Sequence, residues 1–124
     1  NVGDMYLVEF ARRLENISLP NKLAIRIAGD EFGLYFHDIS DDYVSFAGVV
    51  WDNISAHVIN KPFSVSNVDL QFKLSAGMAV YGVHTSHIYD LIDYADFAMY
   101  NAKKSGKNSF RLFDAAAYEL AKGD

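Results

Sequence analysis

Two adjacent carboxylates, Asp30 and Glu31, follow Gly29 in the segment of this sequence with the clearest capacity for chemistry. Apolar residues alternate with other types on both sides of the segment, first at Leu23, Ile25 and Ile27 and then at Phe32, Leu34 and Phe36. Glycine readily adopts the positive φ that a tight turn requires. The pattern therefore predicts a β-hairpin with residues 28–31 at its tip.

Carboxylates on such a tip could bind Mg²⁺, a hard cation that proteins usually hold through one or two carboxylates together with substrate phosphates. The neighbouring glycine would let a ligand approach the backbone closely. The same three residues could equally form an ordinary polar turn, because short motifs have a high false-positive rate. The hairpin alone leaves both interpretations open.

Several elements are predicted around the hairpin. A stripe of apolar residues at helical spacing predicts a first helix over residues 2–14. A second helix is expected to begin at the polar residues 40–42 and to end before Pro62, with a turn at Ser66 and Asn67. Alternation over residues 70–80 predicts a long strand, the clearest strand pattern in the chain.

The last third of the chain predicts a long helix followed by a short strand. Ser86 is expected to cap this helix, and Gly106 is expected to end it in a left-handed conformation. Residues 108–113 suit an edge strand. The whole order predicts an α+β fold with a mainly antiparallel sheet and flanking helices. We expect one domain over residues 1–114, with residues 115–124 as a helical tail or a linker to a further domain.

Composition narrows the possible functions. The chain has 124 residues, of which 51% are hydrophobic and 22% charged, as in ordinary globular domains. Its net charge of −5 argues against a nucleic-acid groove, although a single nucleotide needs only a few local cations. The chain lacks cysteine and has no apolar run near the roughly 20 residues of a membrane span. We therefore expect a cytoplasmic domain without direct membrane insertion, in a parent protein that could itself be membrane-anchored.

Four ordered segments resemble the bacterial GGDEF domain, the module of diguanylate cyclases. Residues 26–32 are similar to its R-x-G-G-D-E-F hairpin, with Ala28 in place of the first glycine. The other three matching segments are G-D-x-x-L at residues 3–7, S-x-G-x-A at residues 75–79 and A-D-x-A-M-Y-x-A-K-x-x-G-K-N at residues 95–108. Together they span nearly the whole chain, so they are far more specific than one short motif.

This resemblance implies a nucleotidyl cyclase palm of ferredoxin-like topology that condenses two GTP molecules into cyclic di-GMP with Mg²⁺ or Mn²⁺. It implies a catalytic homodimer, usually controlled by fused sensory or EAL phosphodiesterase domains. By the same resemblance, Asp30 and Glu31 would be catalytic, Asp30 would ligate the metal, and Arg26 would support the hairpin. The residues that would bind the nucleotide are Asp4 and Leu7 at the base, Ala28 and Gly29 at the turn, and Lys103 and Lys107 at the triphosphate.

Each of these polar residues also has a purely structural interpretation. Asp4 could be an ordinary first-turn carboxylate, and Lys103 with Lys107 could simply complement the negative end of a helix dipole. The match to four ordered motifs favours the functional interpretation.

The sequence also departs from the family pattern. Family members place a strand with a D-x-D-x-F-K segment before the first helix. The 124 residues of this sequence do not contain that segment, so we expect the sheet to lack that strand. The R-x-x-D motif of the inhibitory product site is replaced by Leu19-Pro20-Asn21-Lys22, so we expect no such site. The alternative function is a catalytically impaired GGDEF domain that binds GTP and regulates a fused EAL phosphodiesterase.

Overall fold

A computed structural model of the chain describes residues 1–123, so the last residue of the predicted tail, Asp124, lies outside the described part. The contacts divide the chain into two compact units, Asn1–Phe72 and the residues from Lys73 onward. Both units combine helices with short strands, which confirms the α+β class.

The first unit consists of two helices and two antiparallel hairpins. Its elements are α1 (Val2–Glu15), β1 (Lys22–Ala28), β2 (Glu31–Phe36), α2 (Tyr43–Ile54) with a π-helical turn at Ser55–Ile59, β3 (Phe63–Val65) and β4 (Val68–Leu70). Asp42 begins α2 by accepting a hydrogen bond from the Ser45 amide at 3.2 Å. Ser66 and Asn67 make the β3–β4 turn with φ of 52° and 65°, as predicted.

An aromatic cluster forms the centre of this unit. The Phe72 side chain is 1% exposed, and its ring centroid lies 4.6 Å from that of Tyr6, 5.6 Å from that of Phe10 and 5.7 Å from that of Phe63. Ring pairs at these separations stabilise a core beyond the area that they bury. The cluster holds α1 against the second hairpin.

Arg13 joins α1 to the end of the π-helical turn. Its guanidinium donates hydrogen bonds to the carbonyl oxygens of Val58, Lys61 and Pro62, and it binds the Glu9 carboxylate at 2.7 Å. The last carbonyl groups of a helix have no partner within the helix, so a cationic donor stabilises them. This contact ties α1 to the segment that follows α2.

The second unit contains β5 (Ser75–Met78), α3 (Ile88–Lys104), β6 (Ser109–Leu112) and α4 (Ala115–Gly123). Strands β5 and β6 pair in parallel, with Ser75 opposite Ser109. Gly106 has a φ of +111° after α3, which confirms the left-handed end predicted for this helix. Helix α4 packs through Tyr118, whose ring lies 5.1 Å from those of Tyr94 and Phe97.

Gly77 allows α3 to pack directly on β5. A side-chain carbon at this position would overlap the carbonyl oxygen of Ala95 and the amide nitrogen of Met99. Glycine inside a strand often marks such a close approach of another backbone. The glycine of the S-x-G-x-A segment is therefore required by packing.

Two local predictions are wrong. The strand expected over residues 70–80 is divided into β4 and β5, because Phe72 turns into the aromatic core and residues 71–74 join no strand ladder. Ser86 does not cap α3, whose N-cap residue is His87. Instead, the Thr85 hydroxyl oxygen accepts a hydrogen bond from the His87 amide at 3.0 Å. A threonine side chain therefore stabilises the loop just before α3.

Candidate functional site

The carboxylate turn is tighter than the sequence predicted. Ala28 pairs with Glu31 at the end of the ladder, so only Gly29 and Asp30 form the tip, and a bulge lies between Arg26 and Ala28. Gly29 has a φ of +50°, which glycine adopts without strain. Bulges bend a strand and redirect its side chains. The turn thereby presents Asp30 as an exposed side chain, and the adjacent Glu31 is half-buried.

Arg26 holds the turn from the side of β1. Its Nε and Nη2 atoms donate hydrogen bonds to the Gly29 carbonyl oxygen at 2.9 and 2.6 Å. The guanidinium also lies 5.7 Å from the centroid of the Phe32 ring, within the range of a cation–π contact. These contacts confirm that Arg26 supports the hairpin.

Ala28 is accommodated without backbone strain. Ala28 does not have a positive φ, whereas the following Gly29 does. A methyl group strains the backbone itself where φ is positive, which is not the case at Ala28. Alanine in place of the first glycine is therefore compatible with the backbone of this turn.

Leu7 and the hairpin line a common groove within the first unit. The groove has a volume of about 230 Å³ and is mainly apolar, and its lining includes Leu7, Ala11, Arg26 and Phe32. The rings of Phe10 and Phe32 meet edge to face at 5.1 Å and connect α1 to β2. The structure therefore brings one predicted nucleotide-binding residue, Leu7, beside the hairpin that carries the carboxylates.

Asp4 lies in the first turn of α1 and is not part of the lining of that groove. Its backbone amide donates to the Asn1 side chain at 2.9 Å, and its carboxylate is 78% exposed. A carboxylate in the first turn also favours the positive end of the helix dipole. The structure therefore gives Asp4 a local stabilising position and leaves its carboxylate open to solvent.

Lys103 and Lys107 lie in the second unit, on either side of the end of α3. Both side chains are exposed, and the Gly106 amide donates to the Lys103 carbonyl oxygen at 3.1 Å. A hydrogen-bonded turn at the end of α3 therefore separates the two cations in the chain. This is the position at which lysines also complement a helix dipole.

Comparison with known proteins decides the family. The model of the family "Diguanylate cyclase, GGDEF domain" matches residues 1–109. The chain belongs to this family. It is 30% identical over 118 residues to the bifunctional diguanylate cyclase/cyclic di-GMP phosphodiesterase MucR of Pseudomonas aeruginosa, which covers 94% of this chain and 16% of MucR. It is also 30% identical over 118 residues to the cyclic di-GMP phosphodiesterase PdeB of Shewanella oneidensis, which covers 95% of this chain and 13% of PdeB.

A solved structure supports the same assignment. The isolated GGDEF domain of TpbB from Pseudomonas aeruginosa matches with a TM-score of 0.84 at 28% identity, over 96% of this chain and 68% of the solved chain. The match confirms the nucleotidyl cyclase palm for this GGDEF domain. The chain spans less than a fifth of the length of MucR or PdeB, so those relatives contain much more than this domain.

The acidic residues of this GGDEF domain supply only part of the ligand set of a divalent cation. Within residues 1–123, no group of three acidic or histidine side chains converges as a metal site. The tip offers Asp30, the adjacent first residue of β2 offers Glu31, and the Gly29 carbonyl is already bound by Arg26. Two carboxylates without a complete cage suit Mg²⁺, which keeps waters and takes its remaining ligands from substrate phosphates.

Two residues of the second unit, Gly77 and Asn108, have roles that the local sequence pattern did not predict. Gly77 sits inside a strand, where glycine signals close backbone approach. Asn108 has a φ of +60° and binds the backbone of Leu74, 34 residues earlier. An asparagine shortly after a helix-ending glycine was the available signal for its left-handed conformation.

The segment that replaces the R-x-x-D motif has a structural role in this GGDEF domain. The Lys22 ammonium donates hydrogen bonds to the carbonyl oxygens of Leu14 and Glu15 at 2.6 and 2.5 Å, at the end of α1. Burial lowers the pKa of this ammonium.

Among residues 1–123, no helix is long and apolar enough to cross a membrane.

Proposed function

We propose that this domain is a diguanylate cyclase that condenses two GTP molecules into cyclic di-GMP. The observation that carries the proposal is a tight hairpin bearing Asp30 and Glu31 within a chain that matches the GGDEF family over residues 1–109. Arg26 and Gly29 give this hairpin a fixed turn on which the carboxylates are presented. Preorganised groups are the main source of transition-state stabilisation in phosphoryl transfer.

In this reaction the 3′-hydroxyl oxygen of each GTP attacks the α-phosphorus of the other. The bond from the α-phosphorus to the bridging oxygen breaks, pyrophosphate leaves, and the hydroxyl proton passes to a nearby base or water. Mg²⁺ or Mn²⁺, when bound, supplies charge neutralisation at the phosphates and favours loss of that proton. Two such steps are needed, so two domains must face each other as a homodimer.

We assign roles to this chain's residues on the family resemblance. Asp30 holds the divalent cation and helps to activate the 3′-hydroxyl, and Glu31 supports the metal and phosphate site. Leu7 contacts the guanine base, and the Asp4 carboxylate accepts hydrogen bonds from the two guanine donors. Lys103 and Lys107 bind the triphosphate as point charges.

A second function has its own support. The similarity to PdeB, a protein named as a phosphodiesterase, and the alanine in the signature are both compatible with a domain that binds GTP without cyclising it. Such a domain would regulate a fused EAL phosphodiesterase. The two functions share the ligand and differ only in turnover.

The deciding experiment incubates the full-length protein with GTP and Mg²⁺ and measures cyclic di-GMP, pyrophosphate and GTP affinity. Cyclic di-GMP that disappears in Asp30→Asn and persists in the control Asp41→Asn, which changes an exposed carboxylate just before the N-cap of α2, supports the cyclase. GTP binding without product supports the regulatory domain. Absence of GTP binding overturns both functions.

A further inference from the structure

The loop between α3 and β6 has a restricted backbone. Lys107 lies between Gly106, with a φ of +111°, and Asn108, with a φ of +60°. Residues other than glycine seldom adopt positive φ, and asparagine is among the few that do so readily. The two residues that flank Lys107 are therefore of the types that suit the positive φ of this loop.

Asn108 connects this loop to the segment that leads into β5. Its amide donates a hydrogen bond to the Leu74 carbonyl oxygen at 2.7 Å, and its side-chain Oδ1 accepts one from the Leu74 amide at 3.1 Å. One residue thus satisfies both main-chain polar groups of Leu74. Glycine at position 108 would keep the left-handed backbone and lose only the side-chain bond.

Two other side chains bind residues of this loop and of the end of α3. The Ser109 hydroxyl lies 2.8 Å from the Ala102 carbonyl oxygen and 3.0 Å from that of Gly106. The Arg111 guanidinium donates to the Ser105 hydroxyl at 2.6 Å. The segment that separates Lys103 from Lys107 is therefore attached both to the end of α3 and, through Asn108, to the start of β5.

We propose that Asn108 is a positioning residue for nucleotide binding, because it fixes the backbone from which Lys107 reaches the triphosphate. This inference rests on the proposed function, in which Lys107 contacts phosphate. A lysine side chain is flexible and supplies a point charge, so the position of its backbone sets where that charge can be delivered. Fixing the backbone before binding raises affinity, since the loop need not be ordered by the ligand.

The test compares Asn108→Gly with the unmodified full-length protein. GTP affinity is measured by calorimetry, guanosine affinity by NMR titration, and exchange of the Leu74 amide by hydrogen exchange. We expect GTP to bind roughly 3- to 10-fold more weakly and guanosine to bind unchanged. We also expect the Leu74 amide to exchange faster. The matched control is Asn67→Gly, which also replaces a left-handed asparagine, with a φ of +65°, in the β3–β4 turn.

The control should retain full GTP affinity. Equal GTP affinity in Asn108→Gly and the unmodified protein would overturn the inference while leaving the proposed function intact. Equal weakening of GTP and guanosine would also overturn it, because a general structural role acts on both ligands. An unmodified protein that binds no GTP would overturn the proposed function and this inference with it.

Discussion

At the scale of single residues, the signature turn depends on what surrounds its carboxylates. Gly29 supplies the left-handed conformation, and Ala28 does not need it, which is why a methyl group is tolerated at one position and would be strained at the next. Arg26 binds the Gly29 carbonyl oxygen with two donors, so the tip is tied to β1 by a side chain as well as by the strand ladder.

Replacing Arg26 tests the importance of that contact. Arg26→Ala should lower the free energy of unfolding by about 1 kcal/mol, because the side chain is exposed and its lost hydrogen bonds are partly replaced by water. It should weaken Mg²⁺-dependent GTP binding more than Mg²⁺-independent binding, since the carboxylate turn loses its support. Urea unfolding and nucleotide titrations with and without Mg²⁺ measure both effects.

The control for this variant is Arg12→Ala, which removes another exposed guanidinium, from α1. It should leave the Mg²⁺ dependence of GTP binding unchanged. If Arg26→Ala behaves like Arg12→Ala in the nucleotide titration, Arg26 has no part in presenting the turn.

At the scale of elements, the contact between α3 and β5 depends on one glycine. In Gly77→Ala the new methyl group would overlap the backbone of α3, which cannot rotate away as a side chain can. We expect a loss of at least about 2 kcal/mol in the free energy of unfolding, at the upper end of overpacking effects. Urea unfolding monitored by circular dichroism measures it.

Gly48 offers the matched control, since it lies inside α2 and a methyl group added there would meet no heavy atom within 4 Å outside its chain neighbours and the backbone of its own helix. Gly48→Ala should stabilise the domain by about 0.5–1 kcal/mol, because alanine favours helix. A Gly77→Ala variant as stable as the unmodified protein would show that α3 does not pack on β5 at this distance.

The ion pairs on α1 predict a pH dependence. Hydrogen bonds from Arg12 and then Arg13, all at 2.7 Å, lower the pKa of Glu9 from 4.5 to about 2 despite the opposing effect of burial. A carboxylate with a depressed folded-state pKa stabilises the fold fully above its unfolded pKa, and this stabilisation is lost as the pH falls towards 2. Glu9→Gln should therefore be less stable than the unmodified protein at pH 7.

The stability difference caused by Glu9→Gln should shrink as the pH falls from 4.5 towards 2, which urea unfolding at a series of pH values measures. Glu119→Gln is the control, because the Glu119–Lys122 pair is exposed and separated by 3.9 Å. Its effect should be small throughout. A difference for Glu9→Gln that stays constant over this range would contradict the assigned pKa.

Local sequence patterns predicted the helices, the turn at Ser66 and Asn67, and the left-handed end of α3 at Gly106. These features depend on neighbours within a few residues. The hairpin carrying Asp30 could be predicted in the same way. The predicted long strand is interrupted at Phe72, which is buried but is not part of a strand. Alternation of apolar residues indicates which side chains are buried, and it does not indicate which residues pair with another strand. Asn108 could not be assigned a role, because its partner Leu74 is 34 residues away and no local pattern records that contact.

At the scale of the whole molecule, charge is unevenly distributed along the chain. The net charge is −5, yet residues 97–113 contain Lys103, Lys104, Lys107 and Arg111 and no acidic residue. Clustered cations raise the local concentration of anionic ligands even on an acidic protein. This stretch belongs to the second unit, whereas the carboxylate hairpin belongs to the first.

If one nucleotide uses residues from both units, ligand binding must protect both together. Hydrogen exchange during a titration with GTP and Mg²⁺ should slow at the Gly29–Asp30 turn and at residues 103–108 with a single midpoint, because one binding event governs both. At a hundredfold excess over Kd, the ligand should stabilise the protein by about 2.7 kcal/mol. GMP should reproduce protection of the first unit more fully than that of the second, because it lacks the β- and γ-phosphates. Protection that stays confined to one unit at saturating GTP would show that the assigned residues do not serve one ligand.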